Sequence, residues 1–523
     1  MRSPAKYLAI LALFLLPATA SAQATLTGTV RDTSGAVLPG VTVEAASPVL
    51  IDKVRSAVTD GTGQYRIIDL PPGSYTLTTT LPGFVTVRRE AVQLSGSQTL
   101  TIPIEMRVGG LQETITVSGE TPVVDVQNTR REVVLDSEVV QTIPATRAAG
   151  ALLNATPGIN VSGGGLALSP TMTSFSARSS SSNSGFVGGE GRYAVNGFPI
   201  TAARSGGFSS YVYDTVNADE VAITVGGGLG ESDIGGPVMN IIPRSGGNNF
   251  DGTVFLNTAG DWSRGDNLDD EIQALNPNLE QTPGVINAYD WSASVGGPIL
   301  RDRLWFYGSY RDLSTQTAME GIFANANAGD PTRWDWVGSP IEARLVQDRT
   351  MMIGRLTGQF GQHRIGWNSE YQHRCEGRPL TVGGEGCHSR GEDWIGLGNN
   401  SGTQMSPEAT STASRGYFDV PFWVNQGTWT MAASNRLLFE AGYTAFAYQP
   451  IFGQPPPDGI SNLIPVTEQC NAINPATGLP YAPVANYRYR SVQSWGPAEG
   501  STGDAVASVS YVTGAHAAKF GYQ

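Results

Sequence analysis

Cysteine and histidine are scarce, three and four in 523 residues. A zinc hydrolase needs His and Glu ligands around an open coordination position. None of His363, His373, His388 and His516 falls in a zinc-peptidase pattern. That enzyme class is excluded, no catalytic residue is assigned, and no cofactor is expected. His373, Cys375, Cys387 and His388 cluster in sequence, but their spacing matches no standard zinc pattern, so no metal ligand is assigned. Cys375 and Cys387 are instead the candidate disulfide of an oxidising compartment, closing a loop, and Cys470 has no obvious partner. Charge is also low: 15% of residues, where about a quarter is usual. The net charge of −13, with no basic stripe to neutralise phosphates, excludes nucleic acid as a partner. Beyond the first residues no apolar run approaches the ~20 residues of a spanning helix.

What is present points to export and to β structure. Arg2 and Lys6 precede the apolar run from Tyr7 to Leu16, and Ala20-Ser21-Ala22 is a small-residue cleavage site. Residues 1–22 read as a signal peptide, with the mature chain starting at Gln23. The 64 glycines, ten tryptophans and 18 tyrosines suit an all-β surface protein. A membrane β-barrel hides in such a sequence, because each strand gives only a weak alternating signal.

Residues 23–107 read as short strands cut by turn chemistry. Leu26–Val30, Val41–Ala45, Gln64–Ile68 and Tyr75–Thr79 are separated by Asp32-Thr33-Ser34-Gly35, Pro39-Gly40, Asp60-Gly61-Thr62-Gly63 and Pro71-Pro72-Gly73. Glycine supplies positive φ and proline fixes φ, so each cluster ends a strand. The even spacing predicts a small antiparallel sandwich. Asp32 and Asp60 read as turn residues rather than calcium ligands. The stretches Ala36-Val37-Leu38-Pro39-Gly40-Val41, Thr59-Asp60-Gly61-x-Gly63-x-Tyr65 and Leu70-Pro71-Pro72-Gly73-x-Tyr75 resemble the carboxypeptidase regulatory-like domain. The resemblance implies a prealbumin-like, carbohydrate-binding-like sandwich that binds or spaces and does no catalysis.

Residues 108–128 form a link. Its core, Glu113-Thr114-Ile115-Thr116-Val117, resembles the TonB box of TonB-dependent receptors. Physically it is a β-prone segment that can add to a partner's sheet edge; the resemblance implies that the partner is TonB, and the alternative is an ordinary linker strand or a last edge strand of the sandwich. Within residues 129–247, Asp136-Ser137-Glu138 opens a short helix stopped by Pro144, and Arg147–Ala155 suits another, ended by Pro157-Gly158. Residues 169–189 read as a mobile Ser/Gly-rich loop. Then come Val195-Asn196-Gly197, the strand Glu220–Val225, and Gly235-Gly236-Pro237-Val238-Met239-Asn240-Ile241-Ile242-Pro243-Arg244-Ser245-Gly246. This order resembles the receptor plug domain, with Ala222-Ile223-Thr224-Val225 departing from the family's basic residue before glycine. The run 226–230 lacks a phosphate-loop pattern, and its glycines predict tight packing inside a barrel.

Residues 248–523 alternate. Phe250, Val254 and Leu256 oppose Asp251, Thr253 and Asn257; Trp291, Ala293 and Val295 oppose Asp290, Ser292 and Ser294. Met352, Leu356 and Phe360 oppose Arg355, Thr357 and Gln359; Ile365, Trp367 and Tyr371 oppose Arg364, Asn368 and Glu370; Leu437, Phe439 and Tyr443 oppose Glu440 and Thr444. Lipid outside and water inside require this period, and only closure removes an unpaired edge from lipid. Trp305-Phe306-Tyr307 is expected in an interfacial girdle. The run Gly296–Tyr307 resembles Oar-like TonB-dependent receptors. About nine strands are countable against the ~22 of such transporters, so the expectation is a partial barrel.

The fold class expected is thus all-β dominated: a sandwich, an α+β plug and a transmembrane antiparallel barrel. The resemblance implies active transport across the bacterial outer membrane of a carbohydrate, peptide or metal chelate. Its implied partners are the TonB complex, outer-membrane lipid and that solute, with a surface lipoprotein as a further candidate. The alternative is an adhesin or structural surface protein using the sandwich as a carbohydrate-binding domain.

Overall fold

The computed structural model describes residues 24–109, 114–117, 131–143, 149–162, 174–177, 191–200, 211–226, 236–275, 285–376, 394–397, 418–448, 464–468, 487–489 and 500–523, apart from isolated positions and short gaps within these ranges. The first unit holds β1 (Ala24–Asp32), β2 (Thr42–Ala46), β3 (Val54–Val58), β4 (Gln64–Leu70), β5 (Gly73–Thr80), β6 (Thr86–Leu94), β7 (Thr99–Thr101) and β8 (Ile104–Met106). One sheet runs β4-β1-β7 with β8 also on β1; the other runs β3-β2-β5-β6 and gains β9 (Thr114–Val117) at its edge. The alternate residues Val43 and Ala45 of β2, and Tyr75 and Leu77 of β5, are buried with Leu26, Val30, Tyr65 and Leu100 of the facing sheet. That is the period-two burial of a sandwich. Asp32 Oδ1 accepts the N–H groups of Ser34 at 2.8 Å and Ala36 at 2.9 Å, as turn aspartates do. Gly28 is required by a close approach: a Cβ there would stand 2.0 Å from the Ile102 carbonyl oxygen.

The second unit holds β10 (Arg131–Asp136), α1 (Ser137–Thr142), α2 (Ala149–Asn154), β11 (Asn160–Ser162), β12 (Ser174–Ser176), β13 (Arg192–Val195), β14 (Phe198–Pro199), β15 (Ala218–Gly226) and β16 (Val238–Pro243). The Asp136 side chain caps α1 by accepting from the Val139 N–H at 2.8 Å. The sheet order is β10-β15-β16-β13-β14, with β13 and β16 parallel. Asn196 and Gly197, at φ 52° and 81°, make the two-residue turn from β13 to β14. Both φ values are positive, which is why Asn-Gly stands there. The stretch 169–189 is not loop throughout, since β12 pairs with β11 inside it.

The third unit is one antiparallel meander. It comprises β17 (Asp251–Gly260), α3 (Asp270–Leu275), β18 (Val285–Leu300), β19 (Leu304–Asn325), β20 (Gly338–Phe360), β21 (His363–Glu376), the short β22 (Trp394–Leu397), β23 (Phe418–Ser434), β24 (Leu437–Tyr448), the β25 (Val466–Glu468) and β26 (Tyr487–Tyr489) pair, β27 (Gly500–Thr513) and β28 (His516–Tyr522). The strand order β17-β18-β19-β20-β21-β23-β24-β27-β28 follows the chain, and β22 adds to β20. The connections 301–303, 361–362, 435–436 and 514–515 are short and share one end. The connections 261–284, 326–337, 377–417 and 449–499 are long and share the other.

This sheet is inside out. Val254 is 83% and Leu256 73% exposed, and Phe250, Trp291, Val295, Met352, Leu356, Phe360, Ile365, Trp367 and Tyr443 are exposed with them. On the opposite face Ser292, Thr357, Asn368, Glu370, Gln426, Glu440 and Thr444 are buried. A soluble sandwich would bury the first set and expose the second; a lipid-facing sheet with a polar interior does the reverse.

One expectation fails here. Trp305 and Tyr307 are not girdle residues: both are buried on the inner face, where the Trp305 Nε1–H donates to Asn248 Oδ1 at 2.8 Å. Only Phe306 of that trio points outward, tilted against Phe250. Of the run 226–230 only Gly226 is described, and a Cβ there would meet nothing within 4 Å; 227–230 lie outside the described residues. The close approaches lie elsewhere, at Gly246 against the Phe306 backbone and at Gly442 against the Phe198 ring.

Candidate functional site

The second unit sits on the polar face of the meander, and its contacts are charged and specific. Arg311 of β19 is the centre. Its Nε and Nη2 donate to the two oxygens of Asp290 on β18 at 2.9 and 2.7 Å, and its Nη1 donates to Asp214 of the plug at 2.9 Å. Arg311 and Asp214 are both 4% exposed. Planar guanidinium geometry allows the fork to Asp290 and the third bond to Asp214 together. Asn217 donates to Asp214 at 2.6 Å and accepts from the Tyr307 hydroxyl at 3.3 Å, extending the network along the sheet.

A second cluster surrounds the Asn-Gly turn. Asn196 Nδ2 donates to Gln426 Oε1 at 2.8 Å, and Gln426 Nε2 donates to the Val195 carbonyl at 3.0 Å. Arg355 donates to Asn196 Oδ1 at 3.1 Å and to the Pro243 carbonyl at 2.5 Å. Glu370, buried, accepts from the Tyr211 hydroxyl and from Asn368 at 2.9 Å. Above these polar contacts the plug joins an apolar cluster in which Tyr211 meets Phe422 and Phe446 edge-on. Gly246 and Asn248, just after β16, fasten the junction of plug and meander: Asn248 Oδ1 also accepts the Asp302 N–H at 2.9 Å.

The sandwich touches the same meander at its short-turn end. Arg436, between β23 and β24, pairs with Asp60 through Nη2 and through Nε at 3.1 Å. Burial pushes the Asp60 carboxyl up, but hydrogen bonds outweigh it: the Thr62 hydroxyl at 2.6 Å, Arg436, and the N–H groups of Thr62 and Gln64. The group is held well below the ordinary carboxylate range. A depressed folded value means that its stabilisation is present above the unfolded value and is lost as pH falls through the folded one. The Asp60–Arg436 contact is therefore expected to hold unchanged from about pH 8 down to about pH 5, above the ~3.9 of a free aspartate. Hydrogen exchange at the loop 60–63 checks this, and Arg436→Gln is expected to raise that exchange while leaving the sandwich core protected.

Of the residues singled out in sequence, Thr114, Ile115, Thr116 and Val117 form β9, which pairs in parallel with β6, Thr86 to Thr114 through Arg89 to Val117. Glu113 lies outside the described residues. Cys375, buried at the end of β21, is disulfide-bonded; Cys387, Cys470 and His388 lie outside the described residues. The Arg311–Asp214–Asp290 network was missed, although Asp290 had been placed on the polar face. The available signal was a charged residue in each of two strands whose opposite face is apolar.

A plug-like unit seated on the polar face of an inside-out meander defines the fold class: an all-β dominated protein of the outer-membrane type. Residues 25–107 match the carboxypeptidase regulatory-like domain. Over 394 residues the chain is 30% identical to the TonB-dependent transporter Oar of Myxococcus xanthus, covering 70% of this chain and 34% of that protein. It is thus related to Oar-like TonB-dependent receptors and spans about a third of that relative's length. Among solved structures, a mutant ferric enterobactin receptor PfeA from Pseudomonas aeruginosa shares 10% identity over 73% of this chain and 46% of its own, with a TM-score of 0.39. The pyoverdine outer membrane receptor FpvA from Pseudomonas aeruginosa PAO1, bound to pyoverdine, shares 12% over 75% and 45%, also at 0.39.

Proposed function

We propose that the chain acts in TonB-dependent active transport or reception across the outer membrane, with residues 1–22 exporting it. In this reading residues 23–107 are the sandwich, 108–128 the link, 129–247 the plug and 248–523 part of the membrane barrel. The observation that carries the reading is the plug bonded into the polar face of a sheet whose other face is apolar and exposed. The solute is a carbohydrate, a peptide or a metal chelate. The TonB complex, outer-membrane lipid and that solute are the partners, and no covalent step is required.

The link enters the plug at β10, the edge strand of its sheet. Force applied at the N-terminal end of β10 and directed across the strands loads the Arg131–Gly226 pair first and then Glu132–Thr224. The ladder therefore opens pair by pair, at a lower force than shearing all pairs at once. The Arg311–Asp214 contact lies beyond that ladder and keeps the rest of the plug seated.

Ile115→Pro tests the coupling role, because proline removes a backbone donor from a segment that must pair as a strand. Capture of TonB by the full-length protein is expected to fall about tenfold or more, equivalent to ~1.4 kcal/mol, with unchanged amounts in the outer membrane. Undiminished capture would overturn the coupling role of residues 113–117.

A further inference from the structure

We propose that the outer edge of β6 is a holding site for the chain's own coupling strand, so that the sandwich keeps Thr114–Val117 from a periplasmic partner until that partner displaces it. This rests on the coupling reading of residues 113–117. β9 completes the five-stranded sheet of the sandwich through one of its two edges, and a partner's sheet that takes the strand through that same edge needs the backbone groups that β6 holds. Holding and coupling through that edge exclude each other, whereas a strand added to the open edge of β9 would leave the hold intact.

Three features suit the β6 edge to a reversible occupant. The described pairing runs from Thr86 to Arg89, and a bulge in β6 follows it. Between Val92 and Arg89, β6 makes three steps against the two of β5 between Tyr75 and Leu77, with Ala91 at φ 58°. A bulge bends the strand and disrupts its ladder, so the β6 edge past Arg89 is a poorer template for continued pairing. The strand's root is fixed: the Val85 N–H donates to the Arg107 carbonyl at 2.8 Å, and the Gly109 N–H to the Gly83 carbonyl at 3.1 Å. A strand rooted so near its site meets it at high effective concentration, which lets a short parallel pairing form. The edge is also safe when vacated, since Arg88 and Glu90, about half exposed, form an ion pair at 2.9 Å, and charge on an edge discourages pairing with other chains. A partner would then bind with an affinity reduced by the fraction of molecules in which the strand is held.

The test uses the full-length protein in detergent, with a short thiol-to-thiol cross-linker and peptide mapping. Val87→Cys with Ile115→Cys, and Arg89→Cys with Val117→Cys, place cysteines at opposed positions; Val87→Cys with Val117→Cys is out of register. Both in-register pairs are expected to link within one chain in most molecules, and the third pair several-fold less. An excess of the periplasmic C-terminal domain of TonB is expected to lower the in-register yield several-fold. Absence of linkage, equal linkage for all three pairs, or linkage between two chains would overturn the holding site, whatever TonB does. In-register linkage that TonB leaves untouched, while TonB capture still depends on Ile115, would overturn the exchange. The same linkage with capture independent of Ile115 would remove the coupling reading and leave β9 a structural strand, which also overturns the proposal.

Discussion

Replacing Arg311 by Met is expected to destabilise the full-length protein by roughly 3–5 kcal/mol, the usual cost of breaking a buried ion pair by removing one partner. The cost comes from what is left behind. Asp214, 4% exposed, and Asp290 would face each other across the plug–sheet contact without their shared cation. Arg311→Lys is not expected to restore the loss, because an ammonium cannot fork across both Asp290 oxygens and still reach Asp214. Arg311→Met combined with Asp214→Asn and Asp290→Asn is expected to recover much of it, since no charge is then left unpaired. Denaturant unfolding in detergent measures all three. The single variant should also expose the plug to protease before the sheet unfolds, because the lost bonds join those two units.

Gly246→Ala is expected to have the next largest effect. Its Cβ would lie 2.1 Å from the Phe306 carbonyl oxygen and 2.8 Å from the carbonyl carbon. These are backbone atoms of β19, which is paired along its length with β18 on one side and β20 on the other. The obstacle cannot rotate away as a side chain would. Overpacking of this kind costs about 1–3 kcal/mol, and relief by separating the plug junction from β19 would also disturb the Asn248 bonds to Asp302 and Trp305. Faster exchange of the amides of residues 244–249, with the sandwich unaffected, is the expected result. A fully exchange-protected junction in Gly246→Ala would show that the close approach is not constraining.

Much of the architecture was legible in local patterns because local chemistry sets it. Val195-Asn196-Gly197 was read as part of a plug strand, and the structure keeps Val195 in β13 while Asn196-Gly197 make the turn to β14, which needs positive φ at two successive residues. Asp136 marks the start of α1 because a cap needs a side-chain acceptor there. The faces of the meander followed from alternation alone: every apolar set read as outward contains exposed residues, and four of the five opposing polar sets contain buried ones, the exception being Asp251, Thr253 and Asn257 of the edge strand β17. What could not be read is non-local. Arg311 and Asp214 are 97 residues apart, and nothing in either neighbourhood announces the other. Trp305 and Tyr307 sit in an aromatic trio that looks like a membrane-interface belt, yet strand alternation turns two of the three inward. The segment 114–117 was read as β-prone, with a last edge strand of the sandwich as the alternative to a coupling segment; β9 does lie at that edge, and only its partner β6 and their register were not legible.

The central claim is that the exposed apolar face of the meander lies in lipid. Spin labels placed one at a time along β17 of the full-length protein in bilayers test it most directly. Oxygen, which concentrates in lipid, should reach labels at Val254 and Leu256 far better than a water-soluble relaxant does, while Thr253 and Phe255 between them should be shielded from both, giving a period of two. Equal access of the water-soluble relaxant to Val254 and Leu256 would contradict a membrane-spanning sheet and, with it, the transport function proposed for the chain.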